Sequence, residues 1–233
     1  MKEQSVELWH LSEQDFFADL PDEKRDFLSF ARKLELKKNA IIFAEGDPGD
    51  YCYYLDTGSV KIYRATMMGK EPIFWVRKPG DLFGLAEVID GKERICTAQT
   101  LARSTVYEIH RKDFEQILAR YHAMSRKVIA VLGRRIRYLC EQIENLMVCD
   151  VTSRVSRLLV YLSFNHLMNL KIEDAPVSFP LTLTQEDIAA MTGSCQQTIS
   201  ETLKGLQEEG LIRVSRREIT IMNPLEMLER IYH

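Results

Sequence analysis

Between Thr184 and Ile212 the chain reads TQEDIAAMTGSCQQTISETLKGLQEEGLI, and this stretch limits the possible fold more than any other. Thr184 is placed to cap a helix, with Asp187 as its capping-box partner. Ile188 and Met191 give that helix an apolar side, and Ala189 and Ala190 allow close approach of another helix. Thr192-Gly193-Ser194 reads as a tight turn, with Gly193 free to take the left-handed conformation. Ser194 is expected to cap a second helix, with Gln197 at the box position. Ile199, Leu203 and Leu206 form its buried stripe, and Gly210 ends it. Leu211–Val214, Ser215–Glu218 and Ile219–Ile221 then read as strand, turn and strand. Two helices about a glycine turn, followed by a hairpin, predict a winged helix-turn-helix, whose second helix lies in the DNA major groove. A helical hairpin that merely packs a core is the plain alternative.

Upstream, Ile129, Leu132, Ile136, Leu139, Ile143 and Leu146 are spaced alternately by three and four residues. That is a heptad seam, and it predicts a long helix from about residue 123 that pairs with a second copy of itself. A two-fold dimer also suits a reader of paired half-sites. Asp150 follows the seam and can cap the next helix, Thr152–Leu162. Residues 8–34 are expected to be helical, and 112–119 to form a short helix. From 35 to 110 short β-rich runs (Tyr51–Leu55, Val60–Tyr63, Ile73–Val76, Thr105–Ile109) alternate with turns such as Lys78-Pro79-Gly80-Asp81, which implies a sandwich or barrel. The expected class is α+β, with a β-roll (jelly roll) over 1–122, a dimerisation helix over 123–149 and a winged helix-turn-helix over 150–233.

The 233 residues contain no run approaching the roughly 20 apolar residues of a membrane helix. The opening MKEQSVELWHLSEQDFF lacks the apolar core of a signal peptide, so a cytoplasmic protein without membrane partners is expected. The five scattered cysteines read as reduced thiols. Neither a Ser/His/Asp order, nor metal-ligand spacing, nor a P-loop is visible, so neither an enzyme nor a metal site is expected. Net charge is −3, and from residue 151 eight basic residues face ten acidic ones. Phosphate attraction must therefore come from local clusters, such as Arg213, Arg216 and Arg217 at the wing.

This order of parts resembles the cAMP receptor protein/FNR (Crp/Fnr) family of bacterial transcription regulators. The segments that carry the resemblance are IIFAEGDPGDYCYYLDTGSVKIYR, KPGDLFGLAEVIDGKERICTA, ENLMVCDVTSRVSRLL and the helix-turn-helix itself. The resemblance implies a cyclic-nucleotide-binding-like β-roll and an effector, at the junction of roll and long helix, that re-orients two reading helices. It implies double-stranded DNA and a second copy of the chain as partners, and RNA polymerase if the protein activates. Gly84 and Arg94 align with the family's phosphate-holding glycine and arginine. The remaining effector positions depart from the cyclic-nucleotide pattern. Leu85 stands at the ribose-binding glutamate position, with Glu87 two residues late. Ile95 replaces a hydroxyl residue, and Leu139 and Cys140 replace the hydroxyl pair that contacts adenine. Each unmade hydrogen bond to a buried ligand group costs about 1–3 kcal/mol, so several such losses abolish micromolar affinity. The expected effector is therefore not cAMP, and its identity is open. A constitutive regulator, or a cyclic-nucleotide signalling module, are the alternatives.

Other family inputs find little support in the residues. An iron–sulfur sensor needs an N-terminal cysteine cluster, whereas the first cysteine here is Cys52. A haem ligand is not marked out among His10, His110, His122 and His166, and His110 is better placed to cap a short helix. Cys195, at the start of the second helix, is the one cysteine placed for redox sensing, with simple packing as the alternative.

On the reading helix, Gln196, Gln197 and Glu201 replace the arginine, glutamate and arginine of the cAMP-binding members, and Ser200 resembles the serine of the FNR branch. Glutamine suits adenine and a carboxylate suits cytosine. Ser194, Thr198, Arg216 and Arg217 suit phosphates, and Lys204 shares the same face. A solvated Glu201–Lys204 pair is the plain alternative for that acid.

Overall fold

A computed structural model describes residues 15–167, 175–216, 218–224 and 226–227. The chain divides into two compact units, one of Glu13–Gly133 and one built on Arg134–His233.

The first unit opens with a turn at residues 16–19, in which the Asp15 carboxylate accepts the Phe17 N–H at 2.8 Å. The helix expected across 8–34 is confined among the described residues to α1, Pro21–Phe30. Pro21 fixes its first turn. Ala31 turns extended, and Arg-Lys-Leu-Glu-Leu alternates as a strand, β1 (Arg32–Leu36), in register with residues 104–108. Pairing with a long neighbouring strand outweighs the helical propensity of these residues.

Then come β2 (Ile41–Phe43), β3 (Tyr51–Thr57), β4 (Val60–Tyr63), β5 (Ile73–Arg77) and β6 (Leu82–Phe83). A short helix α2 (Leu85–Asp90), strands β7 (Thr97–Thr100) and β8 (Ser104–His110), and helix α3 (Arg111–Arg120) complete the roll. The strands form two antiparallel sheets, in the orders β1-β8-β3-β6 and β2-β7-β4-β5. Alternation along β3 and β8 turns Tyr53, Leu55 and Val106 toward Phe43, Val60 and Phe83 between the sheets. On the outer side Phe17, Phe27, Tyr54 and Phe114 form an aromatic cluster that joins α1 and α3 to the roll. His110 caps α3, its Nδ1 accepting the Lys112 N–H at 3.2 Å.

Helix α4 runs from His122 to Val148, about 40 Å at 1.5 Å per residue. Its first turns bury Met124, Val128 and Val131 in the aromatic cluster, which also holds Leu132 partly buried.

The second unit holds the rest of α4 and α5 (Val151–Leu167), with Asp150 accepting the Ser153 N–H at 2.8 Å as the cap. It continues with β9 (Val177–Pro180), α6 (Gln185–Thr192), α7 (Gln196–Glu208), β10 (Ile212–Val214) and β11 (Glu218–Ile221). Ile188, Ile199, Leu203 and Leu206 are buried with Val155 and Leu159 of α5. The wing sheet has the order β10-β11-β9, so a strand from before the two helices backs the expected hairpin. Among the described residues no helix is long and apolar enough to cross a membrane.

Candidate functional site

In the roll, Gly84 takes a left-handed conformation (φ 70°) at the start of α2, a geometry that favours glycine. Its carbonyl accepts from Arg94 Nη1 at 3.0 Å, and the same nitrogen donates to Glu87 Oε2 at 2.9 Å. Nη2 donates to the Tyr51 carbonyl. The guanidinium lies 4.3 Å from the centroid of the Phe43 ring, which stacks on Tyr53. The Arg94 side chain is 1% exposed and that of Glu87 14%. Burial pushes the Tyr53 hydroxyl up to about 12, against the opposing pull of Arg94. The arginine expected to clamp an external anion is thus held by the chain's own carboxylate, in the first turn of α2. Of the other expected effector residues, Leu85 is buried in the roll core and Ile95 is exposed. Leu139 is half-buried and Cys140 exposed on α4, in the second unit.

In the second unit the capping box at Thr184 forms as expected. Thr184 Oγ1 accepts the Asp187 N–H at 3.1 Å, and Asp187 Oδ2 accepts the Thr184 N–H at 2.9 Å. Gly193 ends α6 in the left-handed conformation. The expected cap of the second helix is displaced by one residue. Ser194 spends its N–H on the Ala189 carbonyl (3.0 Å) to close the turn, and Cys195 becomes the N-cap of α7. Thr198 then stands at the box position, with its Oγ1 3.1 Å from Cys195 Sγ. That contact, followed by nearby backbone N–H groups, lowers the Cys195 thiol from its ordinary value.

Gln197 is therefore no box partner. Its Nε2 donates to Glu201 Oε1 at 3.2 Å. Lys204 pairs with Glu208 (3.6 Å), so the alternative of a Glu201–Lys204 pair gives way to two i,i+4 contacts. Gln196, Gln197, Ser200, Glu201 and Lys204 are all exposed on one side of α7, opposite Ile199, Leu203 and Leu206. Arg213 and Arg216 are exposed at the wing, while Arg217 lies outside the described residues.

Sequence reasoning missed Arg154. Its Nε donates to the Thr192 carbonyl at 2.8 Å and its Nη1 to the Cys149 carbonyl at 2.7 Å. One side chain thus staples the end of α4 to the turn that precedes α7. Both acceptors are backbone atoms, so no pairing of side-chain types could have signalled it. Beside the staple, a Cβ at Gly193 would lie 3.1 Å from Leu146 Cδ2.

Along α4, Ile129, Ile136 and Ile143 are 68%, 62% and 58% exposed, and Leu146, Met147 and Val148 are also exposed. Leu132 and the three isoleucines of the seam thus fall into two groups. Leu132 packs on its own roll, whereas the three isoleucines, seven residues apart, form an uncovered apolar row.

The likeness to known proteins agrees with both units. The cyclic nucleotide-binding domain model matches residues 33–121, and the Crp-like helix-turn-helix domain model matches residues 153–231. The CRP-like cAMP-activated global transcriptional regulator of Mycobacterium tuberculosis is 27% identical over 197 residues, covering 84% of this chain and 87% of that protein. FixK2 from Bradyrhizobium japonicum shares the fold with a TM-score of 0.74 at 22% identity, over 85% of this chain and 96% of that one. The c-di-GMP responsive global regulator CLP of Xanthomonas campestris does so with a TM-score of 0.69 at 21% identity, over 86% and 98%. A roll and a winged head, each matched by its own domain model and joined in this order by a long helix, make the chain a member of the Crp/Fnr family of DNA-binding transcription regulators.

Proposed function

We propose that this regulator acts as a homodimer on paired DNA half-sites and does not use cAMP as its effector. The observation that carries the second part is the Arg94–Glu87 pair. A cyclic phosphate entering there has to displace a buried carboxylate that already supplies the negative charge. It also meets Leu85 and Ile95 where hydroxyl-binding groups are needed. Ligands differ within this fold, since the mycobacterial relative is named for cAMP and CLP for c-di-GMP. The exposed isoleucine row of α4 supports pairing with a second copy. In this reading Gln196, Gln197, Ser200, Glu201 and Lys204 face bases. Ser194, Thr198, Arg216 and Arg217 face phosphates, and RNA polymerase is a partner if the protein activates.

Two measurements test the proposal. Calorimetric titration with cAMP is expected to give no heat at micromolar concentrations, and gel-shift affinity is expected to be the same with and without it. Micromolar binding that strengthens the DNA complex overturns the effector assignment. Sedimentation is expected to give twice the 27.0 kDa chain mass, reverting to one chain in Ile136→Glu; a monomeric wild type overturns the dimer.

A further inference from the structure

We infer that Gln197 reads an adenine in each half-site and that Glu201 is the positioning residue that aims it, rather than a reader of cytosine. The inference rests on the proposal that the exposed side of α7 faces bases. Its starting point is the bond from Gln197 Nε2 to Glu201 Oε1, 3.2 Å long and one helical turn apart. An ionised carboxylate only accepts, so its neighbour must turn the amide nitrogen toward it. This contact settles by chemistry which end of the amide is nitrogen. The nitrogen carries two hydrogens. One goes to Glu201, and the other remains beside Oε1. An acceptor and a donor side by side match the N6 amine and N7 of adenine in the major groove. Guanine offers two acceptors at the same edge and leaves Oε1 without a donor.

Two further features assign the two side chains different tasks. Gln197 lies in the first turn of α7, the part of a reading helix that reaches base edges, whereas Glu201 lies a turn deeper along the helix. Lys204, the one basic residue of α7, is engaged with Glu208. The acid is therefore matched with the glutamine, and a free glutamine amide that rotates between two orientations becomes one with a fixed donor and acceptor.

The test is selection of half-sites from randomised double-stranded DNA by the full-length protein at low salt, for wild type, Gln197→Ala, Glu201→Ala and Glu201→Gln. Thermal melting of each variant confirms that it is folded. The wild type is expected to select an adenine at one position per half-site. Gln197→Ala is expected to relax that position by about 5–150-fold, the range for loss of one bidentate contact. Glu201→Ala is expected to relax the same position in part and no other. Glu201→Gln, whose Oε1 still accepts from Gln197, is expected to restore it. Glu201→Ala that leaves the adenine untouched, or that erases a cytosine elsewhere, overturns the inference while leaving α7 as the reader. If neither Gln197→Ala nor Glu201→Ala changes any position, or if no half-site is enriched, the assignment of α7 falls as well.

Discussion

Replacing Glu87 by alanine measures how far the roll depends on its internal ion pair. In Glu87→Ala the guanidinium of Arg94 stays buried, keeps the Gly84 and Tyr51 carbonyls and the face of Phe43, and loses its only anionic partner among these contacts. Removing one member of a buried pair costs about 3–5 kcal/mol. With two carbonyls retained, the lower end applies, about 3 kcal/mol. For a unit the size of Glu13–Gly133 each kcal/mol moves the midpoint by about 4 °C, so the roll transition should fall by about 12 °C in scanning calorimetry. The Glu45–Arg64 pair is the control, because at 35% and 57% side-chain exposure Glu45→Ala should cost less than about 1 kcal/mol. Inorganic phosphate should raise the midpoint of Glu87→Ala and leave the wild type unmoved, because only the variant has an anion-deficient guanidinium. A Glu87→Ala midpoint no lower than that of Glu45→Ala, or equal phosphate effects on both proteins, refutes the claim that Arg94 depends on Glu87.

Three other outcomes follow from the second unit. Arg154→Ala should lose about 2 kcal/mol or more of reading-head stability, from two hydrogen bonds donated by a charged group, and weaken operator binding in gel shifts; an unchanged urea midpoint contradicts the staple. Thr184→Ala should cost about 1 kcal/mol by urea unfolding through loss of the capping box, and no loss means that the box is energetically idle. With Cys140 and Cys149 replaced by serine, Cys195 alkylation should accelerate at lower pH than in the urea-unfolded chain, and Thr198→Ala should move that midpoint upward. Because the folded thiol has the lower pKa, its contribution to stability is present above the unfolded value and fades as pH falls through the folded one.

The parts of the fold written in local chemistry are legible in the sequence. Thr184 and Asp187 form a capping box because both ends of that interaction lie three residues apart. The same holds for Gly193, Asp150 and the stripe Ile199–Leu203–Leu206. Local sequence misleads where a partner in space, or the exact length of a turn, decides. Arg32–Leu34 looks helical until β8 presents an edge to it. β9 has few signals of its own and is fixed by β11. Ser194 appears to be a cap only when the turn is one residue shorter than it is. In the roll, the sequence identified Arg94 and noted Glu87 as displaced by two positions. Their mutual pairing depends on where α2 starts and on the Phe43 ring, separated from Arg94 by some fifty residues of chain.

The Arg154 staple has a practical consequence for anyone exchanging reading heads between such proteins. Its two acceptors are carbonyls, present whatever side chains surround them, so a transplanted head brings its own fastening and finds the mating atom on a foreign helix. The side-chain contact next to it is less forgiving, because Leu146 fills the space over Gly193 and belongs to the helix rather than to the head. A chimera joined at Asp150 keeps the fastening and loses the fit, whereas one joined ahead of Asn145 keeps both. The natural unit of exchange is thus the head together with the final turn of the long helix.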